Sequence, residues 1–167
     1  VEILVADKTH ADQISENMWK RCDVVLTYDK LEYDETLLEK MENCKVIVRV
    51  GVGYENIDLT KAKELGIKVC NVPDYGTEEV ADHAIGMLLS LSRGMHDFVN
   101  RVKKRDWSRI HKMPFRLRGL TMGIIGVGRI GTATLMRARS FGMHIVFYDP
   151  YVNDGYEKAL GVDRMFT

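Results

Sequence analysis

Gly126, Gly128 and Gly131 stand in the run Gly-Val-Gly-Arg-Ile-Gly, the spacing G-x-G-x-x-G. The run follows an apolar stretch, Leu120 to Ile125, and opens a helical pattern. Asp149 lies eighteen positions beyond the last glycine, at the end of a second apolar stretch, His144 to Tyr148. Each part of that layout has a task in binding a dinucleotide. Gly126 allows the tight turn off a strand, Gly128 lets backbone approach a pyrophosphate, and Gly131 lets a helix pack on a sheet. The N–H groups and positive dipole end of that helix face the phosphates. Asp149 can accept hydrogen bonds from the adenosine ribose hydroxyls, and its charge repels a 2′-phosphate. The site therefore reads as NAD (NADH) rather than NADP.

Little else in the chain competes for chemistry. The five histidines, His10, His83, His96, His111 and His144, form no metal or nucleophile arrangement with other residues. Cys22, Cys44 and Cys70 are odd in number and widely spaced, without a C-x-x-C pair, and read as reduced structural thiols. The stretch from Phe98 to Arg118 is basic, but a charge run of this kind reads as a solvated connector beside a nucleotide domain, with Trp107 anchoring it by burying its ring. The 167 residues carry a formal net charge of zero, which gives no reason to expect direct nucleic-acid binding. There is no run of 18 apolar residues and no signal-peptide pattern, so no membrane insertion is expected.

The elements that must position these residues follow from periodicity. Apolar, β-rich runs recur at Val1–Ala6, Asp23–Tyr28, Lys45–Val50 and Lys68–Val72, so that Ile3, Val25, Ile47 and Val69 share one pitch. Helical patterns fill the gaps at Ala11–Arg21, Asp34–Glu42 and Leu59–Leu65, with Asp34 or Thr36 and then Asp58 as caps. Strands alternating with short helices predict a parallel sheet covered on both faces. After the turn Asn71–Gly76, a long helix is predicted over Glu78–Arg93. It is apolar nearly all round, so it should be buried between domains or across a subunit interface, with His83 packed in it. Then come the strand Leu120–Ile125, the helix Ile130–Ser140, the strand His144–Tyr148 and a helix starting near Asp154. The fold class is α/β: a parallel-sheet domain (1–74), an interdomain or dimer helix (75–95) and a partial Rossmann NAD-binding domain (96–167), and the motifs that follow imply, by resemblance, that the first is a partial flavodoxin-like domain.

Several motifs stand in order: Val-Arg-Val-Gly-Val-Gly-Tyr-Glu-Asn-Ile-Asp (48–58), Asn-Val-Pro (71–73), Glu-Glu-Val-Ala-Asp-His-Ala (78–84), the glycine loop and Phe-Tyr-Asp-Pro-Tyr (147–151). Together they resemble the D-isomer-specific 2-hydroxyacid dehydrogenases, most closely the C-terminal-binding-protein-like branch. The resemblance implies an NAD-dependent oxidoreductase that interconverts 2-oxo acids and D-2-hydroxy acids by hydride transfer, acting as a homodimer in the cytoplasm. It assigns Val52 and Gly53 to the substrate carboxylate through their N–H groups, a sensible use of a glycine turn as an anion nest, and Arg49 to the same cleft. It puts Thr77 near the nicotinamide, Arg129 and Ile130 at the pyrophosphate and Asp149 on the ribose, while Tyr54 and Tyr75 would shape the pocket.

The family's catalytic arginine, glutamate and acid/base histidine lie in its C-terminal half, and none of this chain's histidines matches them. The expectation is a fragment that lacks the first βα unit and the catalytic half and is inactive alone. The same branch implies a second role: an NAD-sensing transcriptional corepressor in the nucleus that binds short peptide motifs of the Pro-x-Asp-Leu-Ser type.

Overall fold

In the computed structural model, Val25, Ile47 and Val69 lie side by side on three parallel strands, so the 22-residue pitch of the sequence is the register of a sheet. The structure describes residues 2–6, 10–28, 31–108 and 114–166. They form two units, Val1–Tyr75 and Gly76–Thr167.

In the first unit the strands are β1 (Val24–Thr27), β2 (Val46–Arg49) and β3 (Lys68–Asn71), in the order β1-β2-β3. The helices are α1 (Glu16–Arg21), α2 (Glu35–Lys40) and α3 (Leu59–Glu64). Asp34 accepts from the Leu37 N–H and Asp58 from the Lys61 N–H, both at 2.9 Å. Each cap is worth about 1 kcal/mol of helix stability. The core gathers Ile47, Leu37, Leu38, Met41 and Ala62, with Trp19 edge-on to Tyr33 at 6.3 Å. Lys61 ties α3 to α2 through Glu35 (2.7 Å) and Glu39 (2.6 Å).

Two expectations fail in this unit. Among residues 2–6 there is no strand, and Val1 lies outside the described residues. A strand exists only through its ladder, and residues 2–6 face β1 across a groove of about 590 Å³ instead of pairing with it. The helix predicted over Ala11–Arg21 is broken. Ala11–Gln13 form a 3-10 turn, and α1 begins only after Ser15, whose extended backbone and side chain cap the Met18 N–H. A serine that bonds its own downstream backbone starts a helix rather than continuing one.

The second unit contains α4 (Thr77–Arg93), α5 (Met95–Lys103), β4 (Thr121–Ile125), α6 (Arg129–Arg139), β5 (His144–Tyr148), α7 (Tyr156–Leu160) and β6 (Asp163–Arg164). Its parallel sheet has the order β4-β5-β6. Phe147, Leu135, Val127 and Ile124 fill the core beside Ile85 of α4. Full burial of such side chains contributes about 2 kcal/mol each. α4 packs on α6. Arg137 of α6 fastens the contact by bonding Glu78 and, at 2.5 Å, Asp82.

α4 is not buried all round. Ala81, Ile85 and Ser92 are buried, whereas Val80, Met87, Leu91 and His83 are exposed. A single copy of the chain covers one face only. The basic connector is also corrected, because its first part is α5. Met95, Phe98, Val99 and Val102 follow a helical period, Asp97 sits in the first turn, and Arg101 and Lys103 sit in the last. Charge counting hid that period. Trp107 is not buried among the described residues: it is 81% exposed. The turn beyond α5 is held by polar bonds, from Arg101 to Asp106 and Ser108. No described helix is long and apolar enough to cross a membrane.

Candidate functional site

The glycine loop joins β4 to α6. Gly126 has φ +86°, a left-handed backbone that a side chain disfavours. Gly131 lies so close to the turn that a Cβ there would stand 1.9 Å from the Gly126 carbonyl oxygen. Gly128 caps α6 with no side-chain cap bond, and a Cβ there would meet no atom within 4 Å. The loop is thus tight against the helix on one side and open on the other, at an N-terminus whose first N–H groups have no intrahelical acceptor. That arrangement fits a pyrophosphate. Arg129 and Ile130, both exposed, follow at the first turn of α6.

Asp149 reaches this loop directly. Its Oδ2 accepts from the Val127 N–H and its Oδ1 from the Tyr151 N–H, each at 2.9 Å, and the residue is 8% exposed. These two amide donors hold its carboxyl below the ordinary carboxylate value. The positive charge of Arg164 adds to the effect, and burial opposes it. A carboxylate has about four acceptor positions, so two amide bonds leave it capacity for ribose hydroxyls.

In the first unit Arg49 is the last residue of β2, and the loop that follows carries Val52 and Gly53. The Gly51 carbonyl accepts from the Val72 N–H (3.0 Å) and the Val52 carbonyl from Asn71 Nδ2 (2.9 Å). Among the described residues no peptide bond is cis. In a trans peptide the C=O and the next N–H point in opposite directions. Pinning these two carbonyls to the end of β3 therefore turns the N–H groups of Val52 and Gly53 away from it, a pair of donors in succession. The Arg49 guanidinium lies over the same loop, since a Cβ on Gly51 would come within 2.7 Å of Nη1. Nη1 donates to the Val50 carbonyl (3.2 Å), while Nε is buried with no hydrogen-bond partner among the described residues. A cation beside two aligned amides has the chemistry to hold a carboxylate.

The structure therefore joins Gly126, Gly128, Gly131 and Asp149 into one cluster and Arg49, Val52 and Gly53 into another. Thr77 is the half-buried first residue of α4. Tyr54 and Tyr75 are exposed. Cys22, Cys44 and Cys70 are free thiols, and burial pushes Cys44 up to about 11. Sequence reasoning missed three participants. The Val127 N–H is invisible because it is backbone. Asn71 stands in the Asn-Val-Pro motif and the turn, neither of which signals its side-chain bond to the Val52 carbonyl. Arg164 had no signal, since the two-residue strand β6 is too short to show a period.

Residues 1–159 match the family model described as D-isomer specific 2-hydroxyacid dehydrogenase, catalytic domain. C-terminal-binding protein 1 of Caenorhabditis elegans is 36% identical, covering 99% of this chain and 24% of its own length. D-3-phosphoglycerate dehydrogenase of Methanocaldococcus jannaschii is 36% identical, covering 97% and 31%. The D-lactate dehydrogenase of Aquifex aeolicus, solved with NAD and lactic acid, superposes with a TM-score of 0.82 at 36% identity, over 93% of this chain and 47% of that one. The chain thus spans between a quarter and a half of the length of these relatives.

Proposed function

The chain belongs to the D-isomer-specific 2-hydroxyacid dehydrogenase family, and on that footing we propose that it is part of an NAD-dependent oxidoreductase interconverting 2-oxo acids and D-2-hydroxy acids. The observation that carries this reading is the bond from the Val127 N–H to buried Asp149, which fixes an acid beside an open glycine loop. Gly126, Gly128 and Gly131, with the backbone of Arg129 and Ile130, cradle the pyrophosphate. Asp149 takes the ribose hydroxyls and repels a 2′-phosphate, so NAD is preferred over NADP. Thr77 stands toward the nicotinamide end. NADH, when bound, supplies the hydride. Arg49 and the N–H groups of Val52 and Gly53 hold the substrate carboxylate and so orient the keto carbon. The proton comes from residues other than this chain's five histidines.

The test is NADH oxidation by the intact protein on a panel of 2-oxo acids. Turnover is expected with the intact protein and none with the 167 residues alone. No turnover on any acid by an intact protein that binds NADH would remove the enzymatic reading.

A second reading rests on the similarity to C-terminal-binding protein 1 over nearly the whole chain: an NAD-sensing corepressor scaffold that binds short peptide motifs. A Pro-x-Asp-Leu-Ser peptide separates the two, since it binds under this reading and not under the first. Free thiols and a metabolic cofactor suit the reducing cytoplasm. The corepressor reading places the protein in the nucleus.

We also propose a homodimer through the second unit. Val80, Met87 and Leu91 stand seven and four residues apart on one exposed face of α4, and Leu91 is 76% exposed. Exposed apolar stripes of this kind mark interfaces. Sedimentation should give a dimer for the wild-type protein and a monomer for Leu91→Asp. A dimer that survives both Leu91→Asp and Met87→Asp would place the interface elsewhere.

A further inference from the structure

Arg164 is the last residue of β6, and its side chain is 9% exposed. Its guanidinium collects the whole segment that follows β5. Nη2 donates to the carbonyls of Asp149 (2.9 Å) and Val152 (3.1 Å). Nη1 donates to the carbonyl of Asn153 (3.4 Å) and to the Asp154 carboxylate (3.2 Å). The Phe166 ring covers the cation at 5.2 Å. Three carbonyl dipoles converging on one point repel each other unless a cation stands there, and a planar guanidinium with five fixed donors is the side chain that can meet them together. A lysine offers the charge but not the fork.

The consequence runs to Asp149. Its main chain is held by Arg164 and its carboxylate by two amides, one of them, the Tyr151 N–H, inside the same segment. Without the guanidinium the carbonyls of residues 149, 152 and 153 separate, the Tyr151 amide moves, and the carboxylate loses its fixed position beside the glycine loop.

We infer that Arg164 is a positioning residue for cofactor selection: by clamping residues 149–154 it holds the Asp149 carboxylate where it accepts the ribose hydroxyls and rejects a 2′-phosphate. The inference rests on the proposed NAD site. The effect of Arg164 passes through Asp149.

The test is titration of the intact wild-type protein, Arg164→Met and Arg164→Lys with NADH and with NADPH. Loss of the clamp should weaken NADH binding about tenfold in Arg164→Met, the scale of losing hydrogen bonds from a charged donor, while NADPH binding stays where it was. The ratio of the two affinities therefore narrows about tenfold. Arg164→Lys should fall between, and it serves as the test if the methionine variant does not fold. A merely structural arginine would weaken both cofactors equally. An unchanged affinity ratio in folded variants overturns the inference and leaves the NAD site standing. A wild-type protein that binds neither cofactor overturns both.

Discussion

Alanine at position 131 is expected to abolish NADH binding in the intact protein and to lower its melting temperature by several degrees. The added methyl would stand 1.9 Å from the Gly126 carbonyl oxygen, a backbone atom that no rotamer change can move aside. Relief requires the turn and α6 to separate by more than 1 Å, and forced overpacking of this kind costs about 3 kcal/mol. The damage does not stay local. The Gly126 carbonyl belongs to the same peptide unit as the Val127 N–H, which donates to Asp149. Pushing the carbonyl off the helix rotates that N–H away from the carboxylate, so one methyl disturbs the pyrophosphate turn and the ribose acceptor together. Gly128→Ala is the informative partner. Its φ of −69° suits any residue, and its Cβ would enter open space. The melting temperature should therefore hold while NADH binding weakens at least tenfold, because the methyl enters the open side of the loop proposed for the pyrophosphate. Thermal melts beside NADH titrations of both variants make the check. A Gly131→Ala protein that binds NADH like the wild type would mean that the turn relaxes without cost.

How far these features can be read from the residues alone depends on whether they are written in a period, a spacing or a fold contact. The first sheet was legible because β2 and β3 repeat the pitch of β1, and Val25, Ile47 and Val69 become register partners. Ile3 shares the pitch but not the sheet, since periodicity reports a segment's fitness to pair and not the presence of a partner edge. α5 was obscured by its own charges. Burial of Trp107 is expected from residue type alone, a tendency that local packing overrides. Gly126, Gly128, Gly131 and Asp149 stand in the sequence as a spacing, and the fold brings them together at one loop. Arg164, Asn71 and the Val127 amide were not legible, since their roles consist of whom they meet after folding. The helix α4 is legible as an apolar segment, yet which face it buries against α6 is set by the fold, where Ile85 joins the core cluster that contains Leu135.

Replacing Asp149 by asparagine should remove the preference for NADH. Both partners of the carboxylate are donors, the Val127 and Tyr151 N–H groups. An amide side chain offers one acceptor oxygen and a donor NH2, so one of the two N–H groups must face another donor. NADH binding should weaken at least tenfold. NADPH should gain relative to it, because the charge that repels a 2′-phosphate is gone, and the affinity ratio should approach one. In this background Arg164→Met should add nothing further to the ratio, as expected of two residues acting through one contact. The pH response follows from the same bonds. The Val127 and Tyr151 amides hold the Asp149 carboxyl below its ordinary value in the folded protein. The stabilisation it provides is therefore complete above the unfolded-state value near pH 4 and is lost as the pH falls through the lower folded value. NADH affinity should show no pH dependence from this group between about pH 5 and 8, and should drop only in acid. A titration midpoint for NADH binding above about pH 5 that disappears in Asp149→Asn would show a carboxyl held protonated rather than ionised, and would reverse the assignment of the two amides as its stabilising partners.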